Sequence, residues 1–344
     1  MRSHFLTSLV GLSLILPALA QSTSEPGVAE VPTLEAVVVS GVQPGPGLWR
    51  VSKDGHVLWI LGTLSPLPRR ISWRSDKVEA IVGRSQELIE SPNVAVSTNL
   101  GFFGQMMLLP SLLAARKNPD RQTLKDMVPA DAYAHWLPLK QKYLGHDAQV
   151  EKRRPILAAR ELYEKAVKRS GLDSGALISP IVTKAAKRNK VTITQPTVKI
   201  VIENPKAMLK EIAATALDDV DCFNRTLAHI EADIETMKAR GNAWATGDIE
   251  ALQSLSYTDQ TASCIAAVLD NAAIQKRGFA DLPQRVAAAW TSAAEAALAK
   301  NTESFSLLPM QEIVKPGGFV DALRGKGYQV DAPDTEGATA HMTH

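Results

Sequence analysis

An α/β fold is predicted, with a central mixed sheet and a large helical share. Three observations carry this. Residues 48–90 read as hairpin, helix and strand in succession, the order that builds an α/β sheet. Residues 130–190 and 218–240 read as helices, with a β-branched run, Val191-Thr192-Ile193-Thr194, returning as a strand between them. A further strand, helix and strand occupy residues 305–330.

The amino end sets the expected compartment. Arg2 and His4 form a short polar region, Phe5 to Pro17 is almost wholly apolar, and Ala18-Leu19-Ala20 supplies the small residues a signal peptidase accepts. Residues 1–20 are therefore expected to be a secretory signal, with an uncleaved anchor helix as the alternative. The apolar run is shorter than the roughly 20 residues of a membrane span. A periplasmic or secreted protein follows, with no transmembrane segment after cleavage. Residues 21–46, rich in Pro, Gly, Ser and Val without a period, are expected to be a flexible lead-in. Residues 47–331 form one elaborated domain, and 332–344 a disordered tail.

Within the domain, Leu48-Trp49-Arg50-Val51 alternates as a strand does, and Asp54-Gly55 is a two-residue hairpin turn. Val57-Leu58-Trp59-Ile60-Leu61 returns as a buried strand and ends in Gly62-Thr63-Leu64-Ser65-Pro66. Loops in that place carry ligands in α/β folds. A helix with Ser75 as N-cap follows, with Val78, Ile81 and Val82 on one face. Residues 87–90 form a short strand. The apolar stretch 101–115, interrupted by Pro110, is expected to be a buried or groove-lining helix pair, with membrane contact as the alternative. From residue 218 to 240, Val220, Phe223, Leu227, Ile230, Ile234 and Met237 recur three and four apart on one helical face. Gly241 fits the stop, Trp244 falls in the turn, and Asp248 caps the next helix.

Cys222 and Cys264 are the two cysteines. They lie about twenty residues on either side of that turn, so antiparallel helices could bring them level as a disulfide. Two free buried thiols are the alternative.

Composition excludes several functions. Lys and Arg number 38 against 36 Asp and Glu, which leaves no electrostatic footprint for nucleic acid. There is no Gly-x-Ser-x-Gly elbow, no Ser/His/acid set, no Gly-rich phosphate loop and no dinucleotide fingerprint.

Several of these pieces, in this order, resemble the TraB/GumN family (TraB/PrgY/GumN), which includes the TIKI-type proteins. The resemblance rests on Leu48-Trp49-Arg50-Val51, Leu61-Gly62-Thr63, Ala243-Trp244-Ala245 with Gly247-Asp248, and Gly318-Phe319 with Gly325, Gly327, Tyr328 and Val330. It implies two motif histidines serving metal-dependent hydrolysis, in Gly-Thr-Ile-His and Gly-Ala-Gly-His. This chain departs at both. Ser65 stands at the first histidine's position. Pro309-Met310-Gln311-Glu312 replaces the second motif, with Glu312 in the histidine's place. Ile193-Thr194-Gln195-Pro196 lacks the acid of a middle motif, whereas Glu90 retains the acid after the second strand. None of the seven histidines restores a ligand set by its spacing.

The expectation is a non-catalytic relative, with Gly62, Thr63, Ser65 and Gln311 lining a binding cleft. No cofactor is expected, and the partner is an envelope protein or a small ligand. The alternative is a metal-dependent hydrolase or protease with a rebuilt site. There Glu90, Glu312 and Ser65 would hold a hard divalent cation, or the two carboxylates would act as an acid/base pair.

Overall fold

Alternating apolar residues and an Asp-Gly turn build the first hairpin of the computed structural model, in which residues 41–214, 219–255 and 279–333 are described. Strand β1 (Val42–Gln43) precedes it. β2 (Leu48–Lys53) and β3 (His56–Thr63) pair antiparallel around Asp54 and Gly55, with φ of 51° and 84°. Short strands β4 (Leu67–Pro68) and β5 (Ser72–Trp73) follow. β1 pairs with β5 in parallel, and the Gly45 amide donates to the Ala245 carbonyl at 2.9 Å. The last residues of the expected flexible lead-in are thus fixed to the domain.

Helix α1 (Asp76–Arg84) buries Val78, Ile81 and Val82 as its spacing requires. The Ser75 hydroxyl does not cap it and bonds Glu79 at 2.8 Å instead. That bond, and a second from Arg188, hold the Glu79 carboxyl below its ordinary pKa. Next come β6 (Glu87–Ile89), β7 (Asn93–Thr98), α2 (Phe102–Ala115), α3 (Leu124–Met127), α4 (Ala130–Tyr143), α5 (Pro155–Arg169), β8 (Leu172–Asp173) and α6 (Ser179–Arg188). Then β9 (Thr192–Thr194), β10 (Thr197–Ile202), α7 (Pro205–Ala214), α8 (Asp219–Thr246) and α9 (Ile249–Ser254) lead to α10 (Leu282–Lys300). The chain closes with β11 (Glu303–Pro309), α11 (Met310–Val314), α12 (Phe319–Gly325) and β12 (Gln329–Asp331).

The central sheet is mixed, as predicted, with strand order β12-β2-β3-β11-β6-β9. β3, β11, β6 and β9 are mutually parallel, and β2 and β12 extend the sheet antiparallel. Its core gathers Leu58, Ile60, Leu61, Leu88, Ile89, Phe305, Leu307 and Leu308 with side chains from α1, α6, α10 and α12. β11, at the centre, also buries two serines completely. Ser306 accepts from the Trp290 indole at 3.1 Å and donates to the Ile89 carbonyl at 3.1 Å, so the hydroxyl is satisfied and fixes α10 to the sheet.

A second core lies among α3, α4, α5 and α8, around Trp136, Leu162, Phe223 and Ile230. Shielded ion pairs hold its loops. Glu151 accepts from the Trp136 indole at 3.0 Å and pairs with Lys140 at 2.7 Å. Arg154 pairs with Asp219 at 2.7 Å.

Helix α8 joins the two cores and corrects one expectation. It does not stop at Gly241 but runs on to Thr246, and Trp244 lies inside it. Gly241 and Trp244 continue the apolar stripe past Met237. Gly241 is required for close approach, since a Cβ there would lie 2.8 Å from the Pro68 ring. The turn comes at Gly247, φ 75°, and Asp248 caps α9 through the Ala251 amide at 2.9 Å, as expected. The buried Trp244 indole donates to the Gly62 carbonyl at 2.7 Å, and its ring meets Trp73 edge-on at 5.4 Å. Cys222 is buried on α8, while Cys264 lies outside the described residues.

The apolar stretch at 101–115 also differs from expectation. It is one helix that passes through Pro110, and Met106, Met107, Leu109, Leu112 and Leu113 are exposed. Among the described residues no helix is long and apolar enough to cross a membrane.

Two substitutions test these joints. Trp244→Phe leaves the Gly62 carbonyl buried without its donor and should cost about 1–3 kcal/mol in denaturant unfolding. Glu151→Ala strands the Lys140 ammonium and the Trp136 indole, and should cost about 3–5 kcal/mol by the same measurement.

Candidate functional site

Four parallel strands place their carboxyl ends on one edge of the sheet, where open α/β sheets bind ligands. Register decides what stands there. Pro309 lies level with Thr63, and Ile89 level with both Ser306 and Thr194. The chain leaves β3 through Leu64, Ser65 and the cis-bonded Pro66, and leaves β11 directly into α11. It leaves β6 through Glu90 and Ser91, and β9 through Gln195 and Pro196. Gly62, Thr63, Ser65, Glu90, Gln311 and Glu312 therefore all belong to this one edge.

Most of these groups already have protein partners. Gly62 is held between the Trp244 indole and Met310, whose Cε would lie 2.3 Å from a Cβ at that position. Thr63 donates its hydroxyl to the Leu308 carbonyl at 3.2 Å and so laces β3 to β11. The exposed Ser65 hydroxyl donates to the Ser174 carbonyl at 3.0 Å. Glu90 accepts from the Thr183 hydroxyl of α6 at 3.0 Å. Glu312 pairs through Oε1 with Lys315 at 2.7 Å, and its Oε2 is buried without a hydrogen-bond partner. Gln311 is exposed. Across the neighbouring strand ends, Gln195 donates to the Ser91 carbonyl at 2.5 Å, and the Ser91 hydroxyl donates to the Leu307 carbonyl at 3.2 Å.

The donor set does not fit a tightly held transition-metal ion. Such a site needs three good ligands, and a neutral hydroxyl bonded to a carbonyl is a poor substitute for an imidazole. Among the described residues no group of three or more His, Cys, Asp or Glu is placed to hold a metal ion. His56 stands at the opposite end of β3, its Nδ1 2.6 Å from the Leu298 carbonyl. A separate cleft of about 480 Å³, lined by Gly45, Trp73, Asp76, Lys77, Thr246 and others, contains none of the six positions.

Sequence reasoning missed the residues that occupy these groups: Ser174, Thr183 and Lys315. Ser174 and Thr183 are short polar residues that carry no periodic signal, whereas Lys315, three residues after Glu312, had one in the spacing of opposite charges. Trp244 was legible in part, because it stands seven residues after Met237 on the apolar face of α8.

No curated protein and no solved structure matches the chain. One family model does match, over residues 47–332, from the start of β2 to the end of β12. By that match over most of its length, the chain belongs to the TraB/PrgY/gumN family.

Proposed function

We propose that this is an exported cell-envelope protein that has lost its family's metal-dependent hydrolase activity and acts as a binding or accessory protein. The occupancy of the sheet edge carries the reading. Ser65 and Glu312 stand where the resemblance places histidines, and each is engaged by a protein group. Glu90, the retained acid, is engaged by Thr183. An edge of this kind presents hydroxyl, amide and carboxylate groups suited to hydrogen-bonding a small polar ligand or a partner's loop.

One observation favours the second reading, a rebuilt carboxylate site. Glu312 Oε2 is a buried acceptor with no donor, and one strand away Glu90 supplies another carboxylate. A hard cation prefers such oxygen ligands.

Elemental analysis of the purified protein after mild dialysis separates the two. Less than about a tenth of an equivalent of any divalent metal, with no rise in melting temperature on adding Mg²⁺, Mn²⁺, Ca²⁺ or Zn²⁺, is the expected result. Near one equivalent of metal, lost in Glu312→Ala, would revive the hydrolase.

Export and a Cys222–Cys264 disulfide belong to the same proposal. The signal-like residues 1–20 support export, and the absence of a free cysteine among the described residues supports the bridge. The protein recovered from the periplasm or medium should begin at Gln21, with an intact mass lower than the reduced form by two hydrogens. Reduction should remove about 3–4 kcal/mol of stability, the loop-closure value for roughly 40 enclosed residues.

A further inference from the structure

The chain does not turn away where β6 and β9 end. Past Glu90 and Gln195 their chains continue side by side as β7 and β10, a parallel two-stranded arm outside the central sheet. α2 follows β7 and α7 follows β10, and the two helices pack together. Residues 91–115, covering β7 and α2, contain no charged side chain.

Two features of the arm are costly for an isolated chain in water. The first is an unprotected strand edge. β10 is packed by α10, where Arg285 donates to the Lys199 carbonyl at 3.2 Å. Among the described residues no strand pairs with the other side of β7. Natural edge strands are blunted by lysine, proline or a bulge, and Asn93–Thr98 has none of these. The second is α2. Met107 is 81% exposed, Met106 and Leu109 more than half, and Leu112 and Leu113 nearly so. On the arm itself Val96 and Val201 are also more than half exposed, on opposite faces, since Val96 is in register with Ile200 and Val201 with Ser97.

We infer that the arm is a homodimer interface, in which β7 pairs antiparallel with β7 of a second copy and each α2 is covered by the partner's arm. A two-fold axis at β7 yields a four-stranded β10-β7-β7-β10 sheet and removes both open edges at once. The absence of charge over residues 91–115 suits self-pairing, because like meets like without repulsion. A lipid surface fits less well. An interfacial helix needs one strongly polar face, whereas α2 is apolar nearly all round. At 14 residues it is also too short to span a bilayer. This inference is independent of the reading of the sheet edge.

Sedimentation velocity of the purified protein, from low to high micromolar, tests it. The expected result is a dimer. Val96→Lys, which places a charge on the edge strand, and Met107→Glu, on the helix, should each weaken it by at least about thirtyfold with the far-ultraviolet circular dichroism spectrum unchanged. Hydrogen exchange on the unaltered protein needs no variant. The β7 amides should gain protection as concentration rises. A monomer at every concentration, with β7 exchange independent of concentration, would overturn the proposal. Flotation of that monomer with phosphatidylglycerol vesicles would assign the surface to lipid instead. A dimer that survives both substitutions would equally overturn it, by placing the interface elsewhere.

Discussion

The bond from the Trp244 indole to the Gly62 carbonyl is the constraint on which the arrangement depends. It joins the longest helix to the strand that opens the candidate edge, in a setting where neither group meets water. Small residues make the approach possible from both sides. Gly241 lets α8 come down on Pro68, and Gly62 leaves room for Met310. A buried indole donor facing a buried carbonyl is worth most through what its loss would leave unpaired. The position of the helical lobe over the sheet is therefore set by a polar contact inside an apolar surround, which fixes register more tightly than apolar contact alone.

The same device recurs where the two cores meet their loops. Trp290 uses Ser306 to reach the Ile89 carbonyl, and Trp136 uses Glu151, itself neutralised by Lys140. In each case a large ring fills space while its one N–H selects a single orientation. At the sheet edge most polar groups are satisfied differently, by backbone carbonyls, Thr183 and Lys315, and Glu312 Oε2 is left without a partner. That contrast supports reading the edge as a place for recognition in which ligand and protein groups can compete for the same donors and acceptors.

Much of the fold was legible because the signals were periodic or tied to special backbone conformations. The Asp54-Gly55 turn, the α1 face and the Asp248 cap appear where their chemistry places them. Gly241 misled because a glycine that permits helix packing and one that ends a helix look alike in sequence. Only the next turn, with Trp244 on the same stripe, distinguishes them. The 101–115 stretch misled for a related reason. Burial was inferred from hydrophobicity, but hydrophobicity records what a segment would favour, and a single chain need not supply the cover. At the candidate edge, the loop at residues 62–66 was found from its place after a strand and Glu90 and Glu312 through resemblance, whereas the partners Ser174 and Thr183 depend on tertiary contacts that no local pattern encodes.

The position of β11 has a consequence for how the chain reaches this structure. It is the central strand, yet it belongs to the last part of the sequence. Thr63 meets Leu308 across 245 residues, and Ile89 meets Ser306 across 217. Closing such long loops makes the sheet slow to form, whereas α4 and α5, neighbours in sequence, can associate early. Until the final segment arrives, β3 and β6 have an empty slot between them and an open edge on each side of it. This order leaves the sheet unable to close until the carboxyl-terminal segment is available. It also makes the carboxyl end an unsafe place to shorten, because a cut before Glu303 removes the middle of the sheet and leaves two unmatched halves.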